Sequence, residues 1–305
     1  MKALVIGLGS IARKHIAALR MLDPDVEIVA LRSNPHASEE EGVKNVYTLA
    51  EAVGEKPDFV IVSTPTACHG DTIETALAIG IPLFIEKPLI HTLPEAEKIA
   101  CRIEKSGKLN YVACNLRFLE CLRFLKERLA DRDIRVNEVN SYCGSWLPGW
   151  RPGVDFRTVY SARPELGGGV HIDLIHEIDT LYWLFGMPDA VVRTFRNSSS
   201  LGIDAVDYAN YCMSYPRFCA SVVLNYYRRD YRRTLEIVCE DSTLMVDLAR
   251  NTVLENGNVI FESSRTIVDT YISQMEYFLQ LIKSGSTASF NTVADAVATL
   301  RMALG

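Results

Sequence analysis

The chain has 305 residues, 48% of them hydrophobic and 23% charged, with 32 lysines and arginines against 38 aspartates and glutamates, a formal net charge of −6. That length and composition suit two globular domains, each with ample apolar material for a core. The acidic balance gives no support to a nucleic-acid or anionic-membrane partner, and no apolar run approaches the roughly 18 residues of a spanning helix.

The opening MKALVIGLGS has a short apolar run broken by Gly7 and Gly9, which reads as a strand and a turn and not as a secretory leader. The eight cysteines are scattered without metal or disulfide spacing. Reduced core cysteines in a cytoplasmic protein, with no metal site, are the expectation.

Lys2 to Ile6 predicts a buried strand, and Gly7 to Ala12 turn directly into a helix running to about Leu22. The spacing is G-x-G-x-x-A. Gly7 permits the tight turn, Gly9 lets backbone approach a pyrophosphate, and small Ala12 lets helix and strand pack closely. Gly7, Gly9, Ser10 and Ile11 are therefore candidate cofactor contacts, with the helix N-terminus offering N–H groups to the phosphates. Further strands are predicted at 27–31, 58–62, 83–85 and 111–113, with helices at about 48–53, 67–79 and 92–106. Such alternation argues a parallel sheet covered on both faces.

A dinucleotide site that favours NAD usually ends its second strand with an acidic residue on the ribose 2′-hydroxyl. Here Leu31-Arg32-Ser33-Asn34 follows, with no carboxylate until Glu39. Arg32 and Ser33 point instead to a 2′-phosphate, favouring NADP(H) over NAD(H); the alternative is an arginine solvated at the sheet edge. The stretches 63–69 (STPTACH) and 85–89 (IEKPL) follow the next two strands, where this architecture places its ligand. Either stretch is also compatible with ordinary loop punctuation.

Residues 117–130 predict a helix and Val136 to Cys143 a strand that opens the second domain. The long loop 145–163 is rich in Trp, Pro, Gly and Arg, and loops of that length in compact domains are usually functional. Trp146, Trp150, Arg151, Arg157, Tyr160 and Arg163 suit stacking on a sugar ring and binding its polar groups, and of these Trp150, Arg151 and Tyr160 are the substrate candidates. A loop packed structurally over the sheet is the alternative.

Glu165 to Gly186 reads ELGGGVHIDLIHEIDTLYWLFG. Three glycines feed a predicted helix of about sixteen residues that stops at Gly186-Met187-Pro188. Asp173, His176, Glu177 and Thr180 share one stripe of it, while Leu174, Ile175, Ile178, Tyr182 and Phe185 cover the other side. That pattern suggests burial beside a polar cavity. His171 lies off the stripe and reads as structural.

Beyond Pro188, strand-like runs at about 189–196, 205–214, 218–227, 233–239, 243–248, 252–255 and 258–262 argue an antiparallel sheet. RRDYRR (228–233) reads as a solvated hairpin end joining two of them, or as a site for a phosphorylated sugar. In the run 218–227 neither face is charged, so both are expected to be covered, one by the chain's own helices and one by a partner subunit. A homodimer or homotetramer follows. Helices at about 269–284 and 292–304 close the sequence.

Together GLGSIARKH (7–15), STPTACH (63–69), GIPLFIEKPL (80–89), CNLRF (114–118) and GGGVHIDLIHEID (167–179) resemble the glucose–fructose oxidoreductase / inositol dehydrogenase family (Gfo/Idh/MocA) of nicotinamide-dependent sugar and polyol oxidoreductases. The resemblance implies an N-terminal Rossmann domain and a C-terminal α+β domain with a large open, mostly antiparallel sheet, divided here as 1–115 and 116–305. It implies a nicotinamide near Thr64-Pro65 and Lys87, with His69 and Glu86 of the same stretches as further candidate contacts. Lys87 carries over as the lysine that hydrogen-bonds the reacting hydroxyl. Asp173 and His176 carry over as the substrate-binding and proton-handling pair; the aspartate lies three residues before the histidine where many members have four, and such positions still share a helix face.

The expectation is thus an NAD(P)-dependent dehydrogenase moving a hydride between nicotinamide and a secondary hydroxyl of a small-molecule sugar, sugar derivative or cyclitol. His176 is the expected base, with Lys87 as the alternative. Two rivals keep the fold: a cofactor-retaining lyase or glycosidase-type enzyme, and a non-catalytic regulator that senses nucleotide or sugar.

Overall fold

The computed structural model describes residues 1–130 and 134–305. The first half runs β1 (Lys2–Ile6), α1 (Ser10–Leu22), β2 (Glu27–Leu31), β3 (Val43–Val46), α2 (Leu49–Gly54), β4 (Phe59–Val62), α3 (His69–Ile79), β5 (Leu83–Ile85), α4 (Leu93–Lys105) and β6 (Asn110–Val112). Its six strands lie in the order β3-β2-β1-β4-β5-β6, all parallel. The order reverses between β1 and β4, and a doubly wound sheet binds ligand at that reversal, beyond the strands' carboxyl ends. Phe59 to Val62 are fully buried, as expected of a strand covered on both faces. Each helix turns one stripe to the sheet: α1 buries Ala12, His15, Ile16 and Leu19 at helical spacing. Strand β3, with the sequence VKNV, lies at the sheet edge and had no predicted counterpart, since Lys44 and Asn45 interrupt its apolar pattern.

The chain continues through α5 (Glu120–Leu129), β7 (Val136–Trp146), α6 (Val170–Asp173), α7 (His176–Phe185), β8 (Ala190–Arg196), β9 (Tyr208–Ser214), β10 (Cys219–Asn225), β11 (Tyr227–Cys239), β12 (Thr243–Asp247), β13 (Thr252–Glu255), β14 (Asn258–Glu262), α8 (Thr270–Ser284) and α9 (Val293–Leu304). The second sheet has eight strands in the order β14-β13-β12-β11-β7-β10-β9-β8. All its pairs are antiparallel except β7 with β10.

Three expectations change. RRDYRR is not a hairpin end: Arg228 to Arg233 lie within β11, which crosses over to pair with β7 and carries a register shift between Tyr227 and Arg232. The helix expected from the triple glycine to Phe185 is two, α6 and α7, interrupted at Leu174, whose ψ of 32° leaves the helical range. Finally, Cys212 and Cys219 point to the outer face of the second sheet and are exposed, as are Cys68 and Cys101, so only four of the eight free cysteines are buried.

Contacts divide the chain into two compact units, Met1–Cys114 with Tyr271–Val297, and Asn115–Thr270 with Ala298–Gly305. The single cut expected near residue 115 therefore leaves out the return of 271–297 to the first unit. There Phe278 of α8 packs against Phe59 and Phe84, with ring centroids 5.6 and 5.4 Å apart. Among the described residues no helix is long and apolar enough to cross a membrane.

Candidate active site

In the first unit the turn after β1 is shaped by close approach. Gly7 has a φ of +94°, and a Cβ there would lie 2.6 Å from the Thr64 backbone nitrogen. Only glycine fits both conditions. Ser63 closes the contact by donating its hydroxyl to the Gly7 carbonyl at 2.8 Å. Gly9 is the opposite case: a Cβ there meets nothing within 4 Å. Helix α1 starts at Ser10 with no side-chain cap and no acidic residue in its first turn, so nothing on the helix competes for its first N–H groups. Ser10 is exposed and Ile11 half-buried beside this open approach. These features fit a dinucleotide pyrophosphate.

At the end of β2, Arg32 is half-buried, with Nη1 donating to the Ser38 carbonyl (3.3 Å) and to Asn45 Oδ1 (3.2 Å); Ser33 is exposed beside it. The arginine is neither fully solvated nor solely a ligand group; it ties the 33–38 loop to β3. The following acidic run is held as well, since Arg13 of α1 pairs with Glu40 at 2.7 Å.

The stretches after β4 and β5 meet through histidine. Thr64 is half-buried, bonded through its hydroxyl to that of Thr72 at 3.0 Å, and Pro65 is exposed. His69, the first residue of α3, sets Nε2 against the Thr64 carbonyl at 2.9 Å and Nδ1 against the carbonyls of Pro88 (3.0 Å) and Leu89 (3.1 Å). Burial pushes its pKa down while those carbonyls push it up, and the net shift is downward. Glu86 is buried with Oε1 2.6 Å from His15 Nε2 and Oε2 accepting the Lys87 backbone N–H at 3.0 Å. Burial alone would raise the Glu86 pKa, but the bond to His15, the His15 charge and Lys87 outweigh it and lower it. The side chains of His69 and Glu86, expected as cofactor contacts, are thus engaged with protein groups. Lys87 is half-buried and its bond to Pro88 is cis.

In the second unit the break between α6 and α7 places two expected residues at facing helix ends: Asp173 closes α6 and His176 opens α7. Both are buried, at 6% and 9% exposure. Tyr226 reaches Asp173 from the end of β10, donating its hydroxyl to Oδ2 at 2.5 Å. Tyr160, from the long loop, hydrogen-bonds the same carboxylate. The Asp173 charge and then burial hold the Tyr160 hydroxyl well above the usual phenol range, and burial first, then Asp173, does the same for Tyr226. Trp150 stands edge-on to Tyr226 at 5.4 Å and is 40% exposed, while the Arg151 guanidinium lies 5.6 Å from the centre of the Tyr160 ring. The three substrate candidates therefore gather around Asp173.

The rest of the predicted stripe has other partners. Glu177 is buried against Arg233 of β11, Nε to Oε1 at 2.5 Å, and Asp179 is held by Arg117 through two bonds of 3.0 and 2.7 Å. These pairs seat α7 on the sheet and on α5's approach, and Thr180 caps nothing outside, bonding the His176 carbonyl at 2.8 Å. His171 packs against the Phe195 ring at 4.9 Å, in keeping with a structural part. Tyr226 and His15 had no expected role. The signal for His15 is that it interrupts an apolar stripe; for Tyr226 it is only that it falls on the buried face of its strand.

The family model described as oxidoreductase family, NAD-binding Rossmann fold, matches residues 1–114, and the Gfo/Idh/MocA C-terminal domain matches 123–245. The chain belongs to the Gfo/Idh/MocA oxidoreductase family. It is 28% identical over 215 residues to a 1,5-anhydro-D-fructose reductase of Ensifer adhaerens, covering 67% of this chain and 62% of that protein, so it spans under two thirds of that relative's length. It is 24% identical over 326 residues to a scyllo-inositol 2-dehydrogenase (NAD(+)) of Bacillus subtilis (strain 168), covering 99% and 91% of the two chains. Among solved structures, GenD2 from gentamicin A biosynthesis in complex with NAD shares the fold with a TM-score of 0.83 at 21% identity, covering 99% of this chain and 92% of that one. The family carries an NAD-binding Rossmann domain, which residues 1–114 of this chain match.

Proposed function

We propose that this protein is an NAD(P)-dependent dehydrogenase acting on a secondary hydroxyl of a sugar, sugar derivative or cyclitol, or on the corresponding ketone. The observation that carries the reading is buried Asp173, bonded by Tyr226 and Tyr160 with Trp150 against the Tyr226 ring, and buried His176 at the start of the next helix. Carbohydrates are bound where a few polar groups fix hydroxyls and aromatic faces cover the ring. The relatives named as acting on anhydrofructose and scyllo-inositol support the substrate class.

The nicotinamide, when bound, supplies a two-electron hydride acceptor or donor. The remaining work belongs to the chain. Gly7 to Ile11 hold the pyrophosphate, and Thr64 and Pro65 border the nicotinamide. In oxidation His176 takes the hydroxyl proton, the general-base role that histidine fills most often in enzymes. Lys87 hydrogen-bonds the same oxygen and stabilises the negative charge that develops there. Asp173, fixed by its two tyrosines, accepts from a neighbouring sugar hydroxyl and sets the ring's register. Arg32 and Ser33 take a 2′-phosphate, so NADP(H) is the preferred cofactor. A homodimer or homotetramer forms through the second sheet.

The test is direct. Purified protein is titrated with NAD(H) and NADP(H), and nicotinamide absorbance is followed with a panel of free, phosphorylated and nucleotide-linked sugars and cyclitols. Turnover of at least one polyol or its ketone is the expected result. Tight cofactor binding with no turnover across the panel overturns it in favour of a sensing role, and product formation without net change in absorbance overturns it in favour of lyase-type chemistry.

A further inference from the structure

We propose that His15 and His69 are positioning residues for Lys87, two buried imidazoles that hold the backbone on either side of the lysine and tie it to the cofactor-facing helix and turn. The inference rests on the dehydrogenase reading of Lys87 and deepens it.

The residue before the lysine is held from α1. His15 is fully buried, packed against Phe84 at a ring distance of 4.8 Å, and its Nε2–H donates to Glu86 Oε1 at 2.6 Å. The other oxygen of Glu86 accepts the Lys87 N–H at 3.0 Å. A polar pair in this place is costly. Ala12, Ile16 and Leu19 line the same stripe, and replacing both partners of a buried hydrogen bond by apolar side chains is commonly near neutral or stabilising. Direction is what the pair adds: the carboxylate has one orientation that satisfies both donors, and that orientation pins the Lys87 amide.

The residues after the lysine are held from α3. His69 is 1% exposed, and its ring nitrogens face three backbone carbonyls, Thr64 on one side and Pro88 and Leu89 on the other. A carbonyl only accepts, so the single N–H of the neutral ring bonds one side, Pro88 and Leu89 from Nδ1 or Thr64 from Nε2, while the other nitrogen packs against the opposite carbonyl. A side chain serving only to fill space needs no polar atom at either edge.

Two histidines therefore connect Lys87 to α1, whose N-terminus fits the pyrophosphate, and to Thr64, beside the expected nicotinamide. Misplacement by about 1 Å is enough to cost on the order of 100-fold in a positioned reaction, so holding the lysine's backbone from both sides has a catalytic use.

Amide hydrogen exchange of the full chain, read by mass spectrometry without cofactor, tests the arrangement independently of turnover. His15→Leu and His69→Leu should each speed exchange in peptides covering 85–91 by about tenfold or more, with β1 and β4 unchanged. His15→Gln, which keeps a donor near the Nε2 position, should restore slow exchange. Glu86→Gln, of equal volume, serves as the probe if His15→Leu does not fold, and should also speed exchange at 85–91. With a substrate in hand, the leucine variants should lose kcat by about 10- to 100-fold while NADPH affinity stays within about threefold. Unchanged exchange at 85–91, a rise spread evenly over the whole first unit, or equal behaviour of His15→Leu and His15→Gln overturns the proposal. Failure of the dehydrogenase reading shows separately, as a wild-type protein that oxidises or reduces nothing, and leaves the exchange result standing.

Discussion

Tyr226 and Asp173 are 53 residues apart in sequence and joined by a 2.5 Å hydrogen bond from the phenol to the carboxylate. Both are buried, so the bond is made where water cannot replace it. A hydrogen bond to a charged group contributes about 1.5–3 kcal/mol. Tyr226→Phe, which keeps the ring against Trp150, should lower unfolding stability by about that amount and raise KM for the sugar more than it lowers kcat. An unshifted denaturant midpoint would show that the bond adds nothing to stability.

His176→Ala should cost roughly 10²–10⁴ in kcat, the range for a positioned acid or base, and leave cofactor affinity nearly unchanged. If that variant keeps near-normal kcat while Lys87→Met loses it, the proton belongs to Lys87. Normal turnover in both would place the chemistry elsewhere.

The cofactor prediction turns on Arg32. Replacing it with alanine should weaken NADP(H) selectively, by roughly 1.5–3 kcal/mol for a lost charge-assisted contact. Because Arg32 also ties Ser38 to Asn45, a modest loss for NAD(H) is expected too. Equal losses, measured by calorimetric titration, would mean that Arg32 shapes the loop and does not read the phosphate.

His171 gives a pH dependence with a definite sign. Burial lowers its pKa to about 4, against a partly opposing pull from the Asp173 charge, with the Phe195 ring covering it. The unfolded chain binds the proton near pH 6.5, so this group's contribution to stability is complete above about pH 6.5 and lost as pH falls toward 4. Across that window wild type should lose roughly 1–3 kcal/mol more than His171→Gln. Parallel pH–stability curves for the two proteins would refute the assignment.

The outer face of β10 predicts assembly. Ala220, Val222, Leu224 and Tyr226 are buried within the chain, while Ser221, Val223 and Tyr227 remain half-exposed on the uncharged opposite face and Cys219 is exposed. Light scattering at micromolar concentration should give a dimer or tetramer mass. A monomer would remove the second-sheet interface from the proposal.

Much of the first unit is legible in the sequence because its signals are local: a fully apolar strand, G-x-G-x-x-A, then a helix whose stripe repeats every three or four residues. The place of Lys87 in the fold is legible for the same reason, two residues beyond the apolar strand 83–85. What escaped depends on distant partners. Strand β3 is held by pairing with β2 and not by its own apolar content. The break at Leu174 follows from tertiary placement, since the residues around it are good helix formers by pattern. Residues 228–233 look like a turn because arginines and an aspartate dominate them, yet Arg232 and Arg233 pair with Gly144 and Cys143 of β7. Tyr226 became a site residue only when the strand carrying it came to rest under α6.

The place of β7 sets the order of assembly in the second unit. Strands β8 to β10 form one antiparallel ribbon and β11 to β14 another, and β7 lies between them, parallel to β10 and antiparallel to β11. On a growing chain β7 emerges first, has no neighbour until β10 has been made, and keeps its other edge open until β11 follows. Pairings between strands so far apart in sequence are slow to form. Two ribbons without β7 would present bare edges to any other chain, a known route to aggregation. Residues 136–146 thus work as a keystone strand, and the period before it is seated is when this protein is most exposed to misassembly.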